Sequence, residues 1–387
     1  MPTFMKIDYV CFSVNDAIAT RDWFIQNLGF RSVGSGMSDD QAIEIVNAGS
    51  IYFVCCAARN DGGAVATFLQ HHPPGVSELA FCVPSIETTL NHALQQGARL
   101  LQPLQTEVQA HGSLRWAMLA GWGGLTHTFV ERVGRTSLLP QAVMLNDVLL
   151  PQPFIENNAS APAETADADC GFFTSMDHVV LNVARGDLKQ AVAWYERVLG
   201  FQPQQGFEIQ TAYSALCSRV LRHPSGGVQL PINEPASSNS QIQEFLDLNC
   251  GSGVQHIALE TTDLLRTIAH LRHKGLPLIH VPATYYAQLR QRAGLTLTPV
   301  IVQQLEEQQI LADWQDKAES AVLLQTFTQP IFDEPTFFFE LIQRQAIQLA
   351  DSTDDRSQRA QGFGEGNFRA LFEAIEREQM KRGSLKQ

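Results

Sequence analysis

The sequence predicts an α+β protein built from two tandem copies of one strand-helix-strand unit. Three observations carry this. Segments of the first third recur in the same order after residue 175, a stretch of linker composition lies between the copies, and the recurring segments alternate apolar and polar residues as half-buried strands do. The 387 residues are 44% hydrophobic and 17% charged, which is the balance of a chain with a real core.

The repeat reads as follows. "KIDYVCFSVNDAIATRDWFIQNLGF" (6–30) matches "SMDHVVLNVARGDLKQAVAWYERVLGF" (175–201). Each is an alternating strand followed by a helix with a Trp-aromatic pair, Trp23-Phe24 and Trp194-Tyr195. Each ends in Leu-Gly-Phe, where Gly29 and Gly200 suit the left-handed position that closes a helix. "GVSELAFCV" (75–83) matches "GVQHIALET" (253–261), and each leads into a helix. "HTFVERV" (127–133) matches "TFFFELIQR" (336–344). Between the copies, 138–171 is rich in Pro, Ala, Asn and Asp and is expected to be a linker. The expected domains are therefore 1–137, 172–350 and a C-terminal loop and helix over 351–387.

In the second copy the three matched positions hold His178, His256 and Glu340; in the first they hold Tyr9, Glu78 and Glu131. Glu340 is the odd residue of an apolar run, between Phe337-Phe338-Phe339 and Leu341-Ile342. A buried carboxylate needs a partner. A lone histidine on an apolar strand is more often core than ligand. Here the repeat selects all three positions independently of their chemistry. Two imidazoles and one carboxylate form the facial triad of non-haem Fe(II) oxygenases, which leaves coordination positions open. The other histidines fit less well: His71-His72 precedes a Pro-Pro turn, and His270, His273 and His280 suit a solvated helix face and turn. The first copy, without imidazoles, is expected to be structural.

Charge and composition exclude other classes. The net charge of −13 disfavours nucleic acid and anionic membranes as partners. No run of about 18 apolar residues suggests a membrane span, and the N-terminal stretch has no apolar segment of signal-peptide type. The seven cysteines form no CxxC and are expected to be reduced, as in a cytoplasmic protein. There is no P-loop, no GxGxxG and no cysteine-based zinc pattern. "NFRALFEAIEREQMKRG" (367–383) spaces Phe368, Leu371, Phe372 and Ile375 as an amphipathic helix, with Asn367 as its expected N-cap. The segment 284–314 has no counterpart in the first copy and reads as two solvated helices.

"MDHVV", "PINEP", "GVQHIAL", "TYY", "LLQTFTQP", "FFFELIQR" and "GFGEGNF" occur in the order in which they occur in the 4-hydroxyphenylpyruvate dioxygenase family, which the chain resembles. The resemblance is strong over 175–374 and covers only the module pattern over 6–133. It implies two tandem vicinal-oxygen-chelate domains, each of paired βαβββ modules forming a curled sheet around a pocket, with a C-terminal helix that closes the mouth. It implies Fe(II) as cofactor, 4-hydroxyphenylpyruvate and O₂ as substrates, and homogentisate and CO₂ as products. The product would feed tyrosine breakdown or prenylquinone and tocopherol synthesis. Ser214, Asn233, Gln241, Gln255 and Gln325 match polar residues of the family's substrate pocket, and Phe327, Phe363 and Phe368 match aromatics that pack on the ring. Strict alternation points Gln255 away from His256, so it reaches a pocket only through a twist or bulge. A homo-oligomer, dimer or tetramer, is expected. Within the fold the competing readings are 4-hydroxymandelate synthase, a glyoxalase-like or extradiol enzyme, and a non-enzymatic small-molecule-binding protein. The complete triad argues against the last.

Overall fold

The structure, a computed structural model, describes residues 4–146, 149–150, 171–294, 296–314, 321–347, 358–360, 362 and 364–383. In the first half a module runs β1 (Lys6–Val14), α1 (Ala17–Leu28), β2 (Arg31–Met37), β3 (Gln41–Ala48) and β4 (Ile51–Ala58). After α2 (Gly63–His71) a second module follows: β5 (Gly75–Cys82), α3 (Ile86–Gln95), β6 (Leu100–Gln109), β7 (Gly112–Ala120) and β8 (Thr126–Gly134). The second half repeats this with β9 (Ser175–Asn182), α4 (Leu188–Leu199), β10 (Gln202–Gln210), β11 (Ala215–Arg222) and β12 (Gln229–Pro235). Next come α5 (Gln241–Leu248), β13 (Gly253–Glu260), α6 (Leu264–His273), β14 (Leu311–Asp313), β15 (Leu323–Phe327) and β16 (Phe338–Arg344). The extra segment supplies two helices, α7 (Ala283–Leu289) and α8 (Pro299–Gln308), and the described chain ends in α9 (Glu365–Arg382).

The two sheets share one topology. In the first the order is β2-β3-β4-β1-β5-β8-β7-β6, with the short strand Met144–Asn146 added outside β2; in the second it is β10-β11-β12-β9-β13-β16-β15-β14. The centre of each is an antiparallel pair, β1 with β5 and β9 with β13, flanked by parallel strands. Each half is thus two βαβββ modules joined through their first strands. Gly29 and Gly200 close α1 and α4 at φ 72° and 76°, a conformation that costs glycine little.

Alternation sorts the strands into two faces. On β1, Val10, Phe12 and Val14 join one core, while Tyr9 and Cys11 join another on the opposite face. The first core runs through both halves. Phe337 packs edge-on against Phe12 at 5.2 Å, and Phe339 lies 5.8 Å from Phe24 and 5.7 Å from Phe53. Burial of each such ring stabilises by about 2 kcal/mol. The other face of each sheet is concave. In the first half it is filled by Ile43, Ile45, Val54, Val65 and Val130.

The expected linker begins later than 138: Leu138 and Leu139 are buried against the first sheet, and Leu149–Leu150 pairs with Thr136–Ser137. Residues 151–170 lie outside the described residues. Six cysteines are described and all are free. No described helix is long and apolar enough to cross a membrane.

Candidate metal centre and cavity

Strand register assembles the centre. His178 on β9 pairs with Ala258 on β13, and Ala258 pairs with Glu340 on β16. The three lie in one row across the sheet, and His256, two residues before Ala258, shares their face. Ala258 separates His178 from Glu340 with nothing larger than a methyl group. The ligand-type atoms of His178, His256 and Glu340 all lie within 4.8 Å of one another, and all three residues are buried. Glu340 Oε2 lies 3.3 Å from His178 Nε2 and 3.6 Å from His256 Nε2. Bonds of about 2.1 Å at right angles set neighbouring ligand atoms about 3 Å apart, so the trio suits a small divalent cation.

Each member is held from behind. His178 Nδ1 donates to Asp177 Oδ1 at 2.7 Å, and Asp177 receives the fork of Arg344, Nε at 2.5 Å and Nη2 at 2.7 Å. The pairing of β9 with β13 shifts register between Met176 and His178, leaving Asp177 as the extra residue. A bulge of this kind re-aims neighbouring side chains. Gln325 Nε2 donates to Glu340 Oε1 at 2.7 Å, leaving Oε2 toward the imidazoles. Phe338 stacks on the His256 ring at 4.8 Å and 19°.

Electrostatics agree with this. Burial disfavours the charged form of His178, but Glu340 and Asp177 outweigh it and hold the imidazole well above its usual range. Burial would raise Glu340, yet His178 and then His256 pull it down into the ionised form. Burial lowers His256. Burial also works against ionised Asp177, and Arg344 followed by His178 keeps it ionised. The site therefore balances Glu340 with a proton on His178. A divalent cation held by His178, His256 and Glu340 would take that proton's place, because imidazole binds metal in its neutral form.

Beside the trio a narrow cavity is lined by Asn233, Gln325, Phe327 and Phe368, all expected pocket residues. Val180, Phe207, Ser218 and Pro231 line it too and were not expected. Asn182, Asn233 and Ser218 pair in one row across β9, β12 and β11. Asn233 Nδ2 donates to Asn182 Oδ1 at 3.3 Å, while Asn182 Nδ2, Asn233 Oδ1 and Ser218 Oγ are buried with no partner among the described residues. Buried polar atoms are rarely left so, and this row suits a polar group of a ligand.

Other expected contacts lie elsewhere. Ser214 is not at the cavity: it precedes β11 and its Oγ donates to Glu376 Oε1 at 2.5 Å, so it anchors α9. Ser218 lines the cavity instead, opposite Asn233. The alternation Leu216, Ser218, Val220 on β11 was the available signal. Gln255 does not line the cavity either; its Oε1 lies 3.3 Å from His256 Nδ1, so it backs that ligand. Gln241 opens α5, and its buried Oε1 has no partner among the described residues. Phe363 lies outside the described residues. Asn367 is not the cap of α9: Gly364 precedes the helix at φ 62°, and Asn367 sits inside its first turn with Nδ2 2.7 Å from Gln325 Oε1.

The first half holds the same frame with other side chains. Tyr9 pairs with Ala80, and Ala80 with Thr128. Thr128, not Glu131, therefore stands where Glu340 stands. Glu131 corresponds instead to Gln343: Glu131 Oε2 accepts from the backbone of Ile86 opening α3, and Gln343 Oε1 from that of Leu264 opening α6. Arg132 and Asp8 repeat the Arg344–Asp177 pair, with Nη2 2.5 Å from Oδ2. Tyr9 donates to Glu78 at 2.8 Å, and burial raises the Glu78 carboxyl.

Residues 3–143 match the family model "Hydroxyphenylpyruvate dioxygenase, HPPD, N-terminal", and residues 175–299 match that of the Glyoxalase/Bleomycin resistance protein/Dioxygenase superfamily. The 4-hydroxyphenylpyruvate dioxygenase of Caenorhabditis briggsae is 35% identical over 99% of this chain and 94% of its own. That of Dictyostelium discoideum is 34% identical over 98% and 99%. Among solved structures, a mutant of 4-hydroxymandelate synthase from Streptomyces coelicolor superposes with a TM-score of 0.79 at 25% identity, over 98% of this chain and 100% of its own. Fold and site together define a tandem vicinal-oxygen-chelate protein with a buried His-His-Glu metal-binding group. Within that class, the chain belongs to the 4-hydroxyphenylpyruvate dioxygenase family.

Proposed function

We propose that the protein is an Fe(II)-dependent dioxygenase that converts 4-hydroxyphenylpyruvate and O₂ to homogentisate and CO₂. The carrying observation is the row His178–Ala258–Glu340, completed by His256, buried beside an aromatic cavity with orphan polar atoms. His178, His256 and Glu340 are the metal ligands in this reading. Bound Fe(II) supplies adjacent open positions where a 2-oxo acid and dioxygen meet. Dioxygen takes up four electrons, two from decarboxylation of the 2-oxo acid and two from hydroxylation of the ring.

The chain's own residues bind and orient. Asp177 and Gln255 fix the two imidazoles through Nδ1, and Gln325 holds one oxygen of Glu340. Phe327 and Phe368 flank the aromatic ring of the substrate. Asn233 and Ser218 offer their unpartnered atoms to its polar end. Phe207 packs edge-on against Phe368 at 5.2 Å, which seats α9 over the cavity and excludes water. The first half, 1–137, has a structural role. The active enzyme is a homo-oligomer in this reading, which sedimentation tests.

The deciding experiment is oxygen uptake with 4-hydroxyphenylpyruvate and Fe(II), followed by product chromatography. Homogentisate with stoichiometric CO₂ is expected. 4-Hydroxymandelate as the main product would assign the chain to benzylic oxidation instead. Failure of Fe(II) to stimulate uptake over other divalent ions would remove the iron assignment.

A further inference from the structure

Two hydrogen-bonded chains leave the metal ligands, one ending on α9 and the other on the residues just before it. The first starts at His178, passes through Asp177 and reaches Arg344. With Nε and Nη2 committed to Asp177, Arg344 uses Nη1 to donate to the backbone oxygens of Ala360, at 3.2 Å, and Gly362, at 2.7 Å. Those carbonyls lie on the chain leading into α9. The second starts at Glu340 and passes through Gln325. Because Gln325 must present its NH₂ to the carboxylate, its oxygen is left to accept from Asn367 Nδ2 in the first turn of α9. Asn367 is fully buried, and its oxygen accepts from Tyr285 at 3.2 Å. Among the three ligands none comes from α9, yet the groups that aim two of them are tied to its first turn, through Asn367, and to the residues just before it, through Ala360 and Gly362.

The first half shows what the frame does without a metal. Arg132 grips Asp8 in the same way and spends its remaining donors on Thr136, Ser137 and Leu138, the chain just after β8. The arginine is thus a strap anchor in both halves. Only in the second does its carboxylate partner also hold an imidazole.

We propose that Arg344, Gln325 and Asn367 are positioning residues that couple the seating of α9 to the metal affinity of His178 and Glu340, an inference that rests on the metal-ligand reading above. The coupling is reciprocal: a docked α9 strengthens metal binding, and bound metal holds α9 down by the same factor. A guanidinium fork meets this double demand, two parallel donors to a carboxylate and a third turned to carbonyls; a lysine ammonium has no fixed fork.

The test uses the full chain with Co(II), under anaerobic conditions. Affinity is read by competition with a chelator, coordination by the visible spectrum, and α9 by amide hydrogen exchange with and without metal. In the wild type, Co(II) should slow exchange across α9 at least several-fold. Asn367→Ala and Arg344→Lys should each weaken Co(II) binding about 10- to 100-fold, and each should shrink the metal-dependent protection of α9. A purely structural role would lower the melting temperature of the metal-free protein and leave the affinity of the folded fraction unchanged. The coupling is overturned if α9 exchanges equally with and without Co(II), or if Asn367→Ala binds within twofold of wild type. Asn367→Ala decides the matter even if Arg344→Lys does not fold. A wild type that takes up no Co(II) at all would overturn the metal site itself, and the coupling with it.

Discussion

The two halves share strand order, the register shift before the key residue, an arginine-aspartate pair and a small residue at the centre, Ala80 in one and Ala258 in the other. They differ at three side chains on one face and in what covers that face. The first half has Tyr9, Glu78 and Thr128 beneath aliphatic side chains; the second has His178, His256 and Glu340 beside a narrow cavity. The lesson is that the frame is neutral toward chemistry. It presents three side chains to one point, and their identity decides whether that point is packing or a metal centre.

The largest effect predicted from this contrast is at the ligands. Alanine at His178, His256 or Glu340 should abolish tight metal binding and lower turnover by several orders of magnitude. Glu78→Ala should leave one metal per chain. Metal analysis of purified protein checks both, and full iron content in Glu340→Ala would break the distinction.

The gap between the ligands comes next. Ala258→Val puts two extra methyl groups between His178 and Glu340. We expect metal affinity to fall at least a hundredfold while the protein still folds. Ala80→Val should cost about 1–3 kcal/mol of stability, the usual range for overpacking, with metal affinity unchanged. Denaturation midpoints and metal titrations separate the two, and equal metal loss in both variants would contradict the assignment of the halves.

A third prediction concerns the frame itself. Asp8 and Arg132 are buried on the first sheet, which carries none of the proposed ligands. Asp8→Asn leaves a buried guanidinium short of its counter-charge and should destabilise the protein by about 3–5 kcal/mol. Metal stoichiometry of the folded protein should not change. A stable Asp8→Asn variant would mean that the pair is not a structural device.

The smallest effect is expected at two serines. Ser218→Ala should raise KM for 4-hydroxyphenylpyruvate several-fold, while Ser214→Ala should leave KM alone and loosen α9, seen as faster amide exchange. Steady-state kinetics that show the reverse would restore Ser214 to the pocket.

The duplication and the triad were legible in the sequence because both rest on period-two alternation. His178, His256 and Glu340 fall on one face of their strands whatever the details of pairing. Glu340 also announced itself as a carboxylate inside an apolar run. Relations that depend on register were not legible. Aligning "FVE" with "FFE" matched Glu131 to Glu340, three residues away from the structural equivalent, Thr128. The arginines were the better anchor, since Arg132 and Arg344 each meet an aspartate just before the key residue of the first strand. Ser214 was misplaced for a related reason: only the hairpin pairing of β11 with β12 shows that Ser218 faces Asn233. Asn367 looked like a helix cap because Asn favours that position, but Gly364 takes the cap and frees Asn367 to face Gln325.

The run Phe337-Phe338-Phe339-Glu340 has a bearing on how such a protein can be divided. Its odd-numbered rings are embedded in the first half, against Phe12, Phe24 and Phe53, while Phe338 and Glu340 face the metal centre. One strand is a party wall between two tenants. Cutting the chain between its halves would leave the second one with a bare aromatic surface directly behind Glu340, so the first copy matters to the candidate site however little chemistry it performs. Tyr9, Glu78 and Thr128 bring no imidazole to their sheet, yet that sheet still backs its twin.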